Sequence, residues 1–348
     1  MSADTVEIVL PGIVDPEGLQ VTHRRLAAPG PGQVRVRMEA TGVSFAEQQM
    51  RRGKYYDQPP FPFVPGYDLV GTVTEVGDGV DPALIGGRFA ALTKIGGWAS
   101  EVLLDAADLI AVPTGIEPAD AEAVLVNGIT AWQMLHRVAK IRSGQTILVL
   151  GASGGVGSTL VQLARNAGVT VIGTASARHA DAVRALGATP IDYRDPDVPA
   201  RVRELAPDGV DAVFDHVGGP GIVDSYRLLA RGGTLVAYGS ASTRDDPGAS
   251  RLPVLKLLAR VTLWNLLPNG KGAHFYNFWA GRRRRDAFRA KLRTDLTQVF
   301  RQILDGTLTP QVAARLPLED AAAAVRLAES GTVTGKVVLL GHAPTLNG

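Results

Sequence analysis

The residues best suited to chemistry lie in a glycine-rich turn at residues 151–157, between an apolar run and a helical pattern. Residues 147–150 are apolar without alternation, as in a strand buried on both faces of a parallel sheet. Such a turn lets backbone N–H groups and the start of the next helix bind a pyrophosphate. Ala152, Gly154 and Gly157 hold the G-x-G-x-x-G positions, with alanine at the first. We therefore predict a dinucleotide-binding loop that comprises Ala152, Gly154, Gly155, Val156 and Gly157.

The end of the next predicted strand indicates which dinucleotide binds. Residues 169–173 form a second apolar run about twenty residues after the loop, the spacing of a dinucleotide-binding βαβ unit. An NAD site would place Asp or Glu after this run, but Ser176 and Arg178 stand there instead. A hydroxyl and a guanidinium suit a ribose 2′-phosphate, and Tyr193, after a further short strand, can contact the same group. The sequence therefore favours NADPH over NADH.

Composition and charge exclude several classes of function. The 348 residues carry a net charge of +2, so no overall field favours a nucleic acid or a membrane as partner. Without cysteine the sequence has no disulfides, thiolate nucleophiles or cysteine-ligated zinc. Residues 1–5 show no signal-peptide pattern, and no apolar stretch is long enough to span a bilayer. We expect a cytoplasmic enzyme with no membrane span and no nucleic-acid partner.

Two sequence patterns along the chain predict an α/β fold with two domains. Residues 34–40 and 71–76 alternate in polarity between Pro- and Gly-rich turns, as half-exposed antiparallel strands do. After about residue 124, strands alternate with helices, which predicts a doubly wound parallel Rossmann sheet. The predicted mainly β, partly open barrel domain comprises residues 1–123 and 283–348, and the predicted Rossmann domain comprises residues 124–282, with an inserted segment at 242–273. Helices are predicted at 117–142 and 283–304, and further strands at 210–215, 233–239, 273–279 and 335–340.

A series of motifs carries a resemblance to a known family. They are residues 42–45, 64–71, 96–101, 127–132, 151–157, 214–219 and 335–338. In this order they resemble the zinc-independent medium-chain dehydrogenases/reductases of the quinone oxidoreductase (zeta-crystallin) kind, and the long segment 238–279 resembles the vesicle amine transport protein homologues. The resemblance implies a GroES-like first domain, NADPH-dependent reduction of a quinone or of the C=C of an α,β-unsaturated carbonyl, and a homodimer that pairs residues 273–279.

The resemblance also implies a set of cofactor contacts in the second domain. Asn127 and Thr130 would lie beside the nicotinamide, and Val217 and Ser240 would lie along the pyrophosphate and ribose. Tyr238 would lie at a strand end, and Phe275 and Phe278 would form walls of the pocket. For Thr130, a helix hydroxyl bonded to its own backbone is the structural alternative.

Three residues are candidates for the substrate side. Ser44 stands where quinone oxidoreductases have asparagine, and Gln49 stands where a pocket tyrosine is common. Tyr55 is the candidate for a substrate contact or proton donor, although a packed ring with a solvated hydroxyl is an equal alternative. Asp68 could either brace the fold or contact substrate. These departures leave the identity of the substrate open.

No metal is expected in this site. In zinc-dependent members of the superfamily a cysteine near Ser44 and a His-Glu pair near residues 67–68 hold the metal, and serine and tyrosine stand at those positions here. The histidines show no mutual ligand spacing. They are His23, His136, His179, His216, His274 and His342.

Two other functions remain open at this point. One is a biosynthetic enoyl or ketone reductase with a large substrate, and the other is a non-catalytic NADPH-binding protein that engages a membrane or RNA. The arginine run at 282–285 and the apolar segment 252–267 are the surfaces that the latter would use. Their ordinary interpretations are a solvated helix start and a lid or dimer surface.

Overall fold

The computed structural model describes residues 4–239, 241 and 251–341. The strands are β1 Thr5–Val9, β2 Gln20–Arg24, β3 Gln33–Val43, β4 Asp68–Val76, β5 Arg88–Leu92, β6 Glu101–Asp105, β7 Ile110–Ala111, β8 Thr146–Val149, β9 Thr170–Ala175, β10 Thr189–Asp192, β11 Val210–Asp215, β12 Leu229–Ala237, β13 Gly272–Phe275, β14 Val312–Pro317 and β15 Lys336–Leu340. The helices are α1 Phe45–Arg51, α2 Pro118–Trp132, α3 Gly155–Asn166, α4 Ala180–Leu186, α5 Val198–Leu205, α6 Ile222–Arg227, α7 Arg251–Asn265, α8 Arg285–Leu304 and α9 Ala321–Glu329.

The chain divides by its internal contacts into two compact units. Unit 1 comprises Met1–Val126 and Arg285–Gly348, and unit 2 comprises Asn127–Arg284. The predicted domain bounds, residues 1–123 with 283–348 and residues 124–282, stay a prediction.

Unit 2 is a doubly wound sheet of parallel strands. The strand order is β10-β9-β8-β11-β12-β13, and each strand pairs in parallel with its neighbours. Numbered from β8, this order is 3-2-1-4-5-6, the Rossmann order, with the reversal between β8 and β11. Helices α3 to α7 form the successive crossovers. The predicted Rossmann fold is confirmed.

Unit 1 is built around the long strand β3. A seven-stranded sheet has the order β14-β15-β3-β4-β5-β7, and β6 also pairs with β3. Along β3, Val34, Val36 and Met38 alternate with more exposed residues and enter the apolar core. Their burial fixes the register, because a slip of one residue would turn them to the other face. The predicted mainly β, GroES-like first domain is confirmed.

Helix α7 was not predicted, because its sequence shows no polar stripe. Its inward side chains, Leu257, Val261 and Trp264, pack against the core of unit 2. Leucines also occupy its exposed side, at positions 255, 258 and 263. A helix that is apolar on both sides has no amphipathic periodicity. Residues 242–250 of the predicted insert lie outside the described residues.

Other predicted boundaries were wrong by a few residues, and local turns explain them. Strand β13 ends at Phe275 because Asn277 Oδ1 accepts the Trp279 N–H at 3.0 Å and turns the chain. Helix α8 begins at Arg285, after Gly281 with φ +89°, so most of the arginine run precedes the helix. Helix α2 changes to a π-helical turn over Gln133–Val138. Strand β14 and helix α9 were not predicted.

A buried ion cluster joins three elements of unit 1. The Lys336 Nζ on β15 lies 3.1 Å from Asp68 Oδ2 on β4 and 2.5 Å from Glu122 Oε1 on α2. Burial lowers the pKa of Lys336, but the Asp68 and Glu122 carboxylates raise it by more. The net result is a pKa above the usual value for lysine. Gly42 on β3 leaves room for the cluster, since a Cβ there would lie 2.2 Å from Lys336 Cε and 2.3 Å from Glu122 Oε1. Asp68 therefore braces the fold.

We expect Gly42→Ala to lower the free energy of unfolding by about 1–3 kcal/mol, because its methyl group displaces buried charges. Gly12→Ala is the matched control, since a Cβ at residue 12 meets nothing within 4 Å. Urea denaturation of both variants measures the difference. Equal midpoints for the two variants would show that Gly42 is not required by the cluster.

Candidate active site

The predicted cofactor loop connects β8 to α3 and is held against β9. The Ala152 N–H donates to the Thr174 carbonyl at 2.8 Å, and the Gly151 N–H donates to Thr174 Oγ1 at 3.2 Å. Gly151 has a φ of +67°, which favours glycine at this turn. Gly154 is exposed and is the N-cap of α3, so the N–H groups of the first turn, from Gly155 to Gly157, begin directly after it. The loop fits a pyrophosphate at this helix end.

Close packing explains the glycines and the alanine of the loop. A Cβ at Gly157 would lie 2.2 Å from the Gly151 carbonyl oxygen, so only glycine lets α3 lie this close to the loop. Ala152 is fully buried at the first position of the fingerprint. A Cβ at Gly173 on β9 would lie 2.7 Å from the Ala152 Cβ. The alanine is therefore accommodated because the facing strand has a glycine.

The structure brings Asn127 to this loop. A Cβ at Gly155 would lie 2.5 Å from Asn127 Nδ2, so the Asn127 side chain lies against the first turn of α3. Thr130 follows three residues later on α2, on the same helix face. Both residues are buried, with 7% and 6% of their surface exposed. Val156 is half-buried in the same first turn of α3.

The residues predicted to bind a 2′-phosphate follow the carboxyl ends of two neighbouring strands, β9 and β10. Asp192 pairs with Ala175 across these strands, and the Tyr193 N–H donates to the Ala175 carbonyl at 3.1 Å. Ser176 therefore follows one strand end while Tyr193 follows its neighbour. Arg178 is exposed in the turn after Ser176, and no acidic residue occupies that turn. This set fits a phosphate better than a ribose hydroxyl.

Sequence reasoning missed Arg194 at this place. Its guanidinium lies 5.6 Å from the centroid of the Tyr193 ring, a cation–π distance. The only signal in the sequence was its position next to Tyr193.

Asp215 organises the turn after β11. Its buried carboxylate accepts the N–H groups of Val217 and Gly218, each at 2.8 Å, and the Ser225 hydroxyl at 2.8 Å. The Tyr238 N–H donates to the Asp215 carbonyl at 2.9 Å. Val217 and Tyr238 thus lie together at the ends of β11 and β12. Burial, and then the Asp215 charge, raise the pKa of Tyr238 above its usual value, so its phenol stays neutral.

His216, which belongs to the motif at residues 214–219, also lies at the cofactor loop. A Cβ at Gly151 would lie 2.4 Å from its Cε1 atom, so the imidazole covers the cofactor loop. Its Nδ1 lies 3.1 Å from the Leu150 carbonyl oxygen, and its ring centroid lies 6.0 Å from that of Tyr238. Its place directly after Asp215, at the end of a predicted strand, was the available signal.

The remaining cofactor candidates are less directly placed. Phe275 ends β13 and packs against the core cluster of unit 2. Phe278 is buried, with its ring 5.4 Å from that of Trp279. Ser240 lies outside the described residues. The roles of all three stay predictions.

Ser44 in unit 1 is the N-cap of α1. Its Oγ accepts the Ala46 N–H at 3.1 Å and is hydrogen-bonded to Glu47 Oε2, while the Ser44 N–H donates to the same Oε2 at 2.9 Å. Because the Ser44 side chain also accepts the Glu47 backbone N–H, residues 44–47 form a capping box. The S-x-x-E spacing at residues 44–47 is the sequence signal for Glu47.

Gln49 and Tyr55 differ in how their polar atoms are satisfied. Gln49 is 4% exposed, and its Nε2 has no hydrogen-bond partner in the described part of the chain. The Tyr55 hydroxyl lies 3.0 Å from that of Tyr67. Burial, followed by the neighbouring Tyr67, raises the pKa of Tyr55 far above its usual value. Gln49 therefore offers an unsatisfied donor, and Tyr55 offers a neutral hydroxyl.

The described residues contain neither a cluster of metal ligands nor a membrane-spanning helix. Among residues 4–239, 241 and 251–341, no group of three His, Cys, Asp or Glu side chains is arranged to hold a metal ion. In those same ranges no helix is long and apolar enough to cross a membrane.

Comparison with known proteins identifies the family. Residues 30–114 match the alcohol dehydrogenase GroES-like domain, and residues 186–339 match the zinc-binding dehydrogenase family. The chain is 32% identical over 337 residues to 2-haloacrylate reductase from Burkholderia sp, covering 92% of this chain and 94% of that protein. The chain belongs to the medium-chain dehydrogenase/reductase superfamily. The resemblance seen in the sequence is thereby confirmed, and members of this superfamily are NAD(P)H-dependent oxidoreductases.

Two further comparisons show that the chain is quinone oxidoreductase-like within this superfamily. The human synaptic vesicle membrane protein VAT-1 homolog is 38% identical over 262 residues, which are 74% of this chain and 65% of the human protein. The chain thus spans less than two thirds of the length of that relative. The structure of Escherichia coli quinone oxidoreductase complexed with NADPH has a TM-score of 0.83 and 26% identity, covering 96% of this chain and 99% of that chain.

We expect Gly173→Ala to lower the free energy of unfolding by about 1–3 kcal/mol, because its new methyl group meets the Ala152 methyl group. The double variant Ala152→Gly with Gly173→Ala should recover most of the loss, since it exchanges the two residue types. Ala152→Gly alone is the control for the added glycine. Denaturation of the four proteins gives the coupling energy, and additive effects would contradict the packing argument.

Proposed function

We propose that this protein is a metal-independent NADPH reductase that acts on a quinone or on the C=C of an α,β-unsaturated carbonyl. The observation that carries the proposal is the end of β9, where Ser176 and Arg178 replace the carboxylate that an NAD site needs. Family membership supports the reaction type, and the Escherichia coli relative is described as a complex with NADPH. When bound, NADPH supplies the hydride of the reduction.

Unit 2 would hold the cofactor with three groups of residues. The 2′-phosphate would contact Ser176, Arg178 and Tyr193, with Arg194 as a second cation. The pyrophosphate would lie on the loop from Ala152 to Gly157, next to Val217 and Ser240. The nicotinamide would be positioned by Asn127, Thr130, Tyr238, Phe275 and Phe278.

Unit 1 would supply the groups that bind the acceptor. In both substrate classes negative charge develops on a carbonyl oxygen as the hydride is added, and hydrogen-bond donors stabilise that charge. The unsatisfied Gln49 Nε2 and the neutral Tyr55 hydroxyl are such donors. Ser44 is the third candidate, through its hydroxyl.

We also propose a homodimer that pairs the edge of the Rossmann sheet. Strand β13 is the last strand of the order, so one of its edges has no partner in the described sheet. An open edge of this kind is suited to pairing with a second copy.

A second candidate function is supported by the exposed side of α7 and the turn after it. Leu255, Leu263 and Leu266 are 61%, 60% and 75% exposed. Residues 251–284 contain Lys and Arg but no Asp or Glu. A non-catalytic NADPH-binding protein that binds an anionic membrane would use such a surface, and the human relative is named a membrane protein. Tight NADPH binding, no oxidation with any acceptor and binding to anionic vesicles would favour this function.

We expect the wild-type protein to oxidise NADPH with a quinone or a small enone, and Arg178→Ala to weaken NADPH binding about 10- to 100-fold, because a charged hydrogen bond is lost. NADH binding should stay nearly constant. Arg203→Ala, another exposed arginine of unit 2, is the matched control. Fluorescence titration with both cofactors measures the effect, and equal losses for NADPH and NADH would refute the 2′-phosphate assignment.

We expect Gln49→Met to lower kcat/KM for the acceptor about tenfold, because a donor to the developing charge is lost. Stability should rise by about 1 kcal/mol, since the buried amide without a partner is replaced by an apolar group of similar length. Steady-state kinetics and urea denaturation measure the two effects. A fall in both quantities would show instead that Gln49 is a packing residue.

A further inference from the structure

Glu47 is a buried acid that the proposed reaction has not yet used. The residue is 3% exposed. Its Oε1 accepts the Tyr67 N–H at 2.7 Å, and its Oε2 accepts the Ser44 N–H at 2.9 Å and shares a hydrogen with Ser44 Oγ. Thus the carboxyl group connects the buried interior directly to the hydroxyl of a substrate-side candidate.

The charges around Glu47 do not balance if every acid is ionised. Asp68 on β4 and Glu122 on α2 are also fully buried, and Lys336 on β15 is the cation of this cluster. Lys336 forms its ion pairs with Asp68 and Glu122. Three carboxylates against one ammonium would leave uncompensated charge in the interior, so protons must remain on the carboxyl groups.

Glu47 is a favourable place for one of these protons. Burial raises its pKa above the usual value, and the Asp68 charge raises it further. The Ser44 hydrogen bond and the Lys336 charge lower it, but the net direction is upward. Burial also raises the pKa of Glu122, which sits against Lys336.

We propose that the Glu47 carboxyl group, acting through the Ser44 hydroxyl, supplies the proton that completes reduction of an enone. When Glu47 is protonated, its O–H donates to Ser44 Oγ, and the hydrogen of Ser44 is available to the acceptor. When Glu47 is ionised, the Ser44 hydrogen is held by the carboxylate. Protonation of Glu47 therefore decides whether Ser44 can act as a donor. This inference rests on the reductase function proposed above.

The step balances in atoms and charge. Hydride addition to the β-carbon leaves an enolate, whose α-carbon takes the proton of the Ser44 hydroxyl, while Ser44 takes the proton of Glu47. The saturated ketone leaves, and a proton from water returns through Ser44 to the Glu47 carboxylate. A quinone differs because its hydroquinone anion carries the charge on oxygen and can take its proton from water after release.

The first test is Glu47→Gln, assayed with an enone and with a quinone. Glutamine keeps the capping position but has no proton to give. We expect kcat with the enone to fall about 100-fold, as for loss of a general acid, and a much smaller loss with the quinone. Glu122→Gln is the matched control, because it removes an equally buried acid that lies on Lys336 and not on Ser44. Equal losses with both acceptors, or no loss, would overturn the proposal.

Ser44 gives an independent pair of variants, should Glu47→Gln fold poorly. Ser44→Thr keeps both the cap and the hydroxyl, and Ser44→Ala removes both. We expect the threonine variant to retain most of the enone activity, and the alanine variant to lose it about 100-fold. Equal activity of the two variants would mean that no proton passes through residue 44.

A measurement without substrate tests the protonation state itself. An acid whose pKa is higher in the folded than in the unfolded protein binds more protons when folded, so stability falls as pH rises above the ordinary Glu pKa. Wild type should therefore lose stability relative to Glu47→Gln as pH rises, and an infrared band of a protonated carboxyl should disappear in the variant. A stability difference that is independent of pH would overturn the proposal even if the enzyme is active. If no quinone or enone supports NADPH oxidation by the wild type, the proposed function fails, whatever this measurement shows.

Discussion

The buried contact of Lys336 with Asp68 and Glu122 is the constraint on which unit 1 depends. It joins β15, β4 and α2, elements that are far apart in the sequence. Removing Lys336 would leave the buried carboxyl groups without a compensating charge, and breaking a buried pair in this way typically costs about 3–5 kcal/mol. The neighbouring strand β3 is adapted to it, because Gly42 yields space to the lysine and Thr41 Oγ1 donates to the Asp68 carbonyl at 2.6 Å. The chain then leaves β3 and continues through Ser44 into α1.

The elements that carry the predicted cofactor contacts could be predicted largely from the sequence, because their signals are local. The loop, the helix after it and the two strand ends occupy residues 147–193, and each is recognised by glycine spacing or apolar runs. The alanine at the first fingerprint position was visible, but its explanation was not. That explanation lies in Gly173, twenty-one positions later (173 − 152 = 21), and requires knowing that β9 faces the loop.

Helix α7 and the buried ion cluster could not be predicted, for two physical reasons. Helix α7 is apolar on both sides, so its sequence carries no helical period. The acids and the lysine of the ion cluster look like ordinary surface charges in the sequence, since charged residues are seldom buried unless paired. Only tertiary contacts that join residues 68, 122 and 336 reveal the pairing. Glu47 has the spacing of a capping residue in the sequence, but burial and the Asp68 charge raise its pKa in the folded protein.

Under the proposed function, hydrogen-bond donors of unit 1 polarise a carbonyl group, and the burial of Gln49 is consistent with that role. A buried amide without a partner, such as that of Gln49, costs about 1–3 kcal/mol. A protein under selection for stability alone would replace it with an apolar residue. Residue 49 is also a substrate-side candidate by its resemblance to the family. A polar residue that lowers stability is expected at such a position if it serves function. The neutral Tyr55 hydroxyl and the acid behind Ser44 fit the same principle, because donors fixed in a buried site need no reorganisation when charge develops.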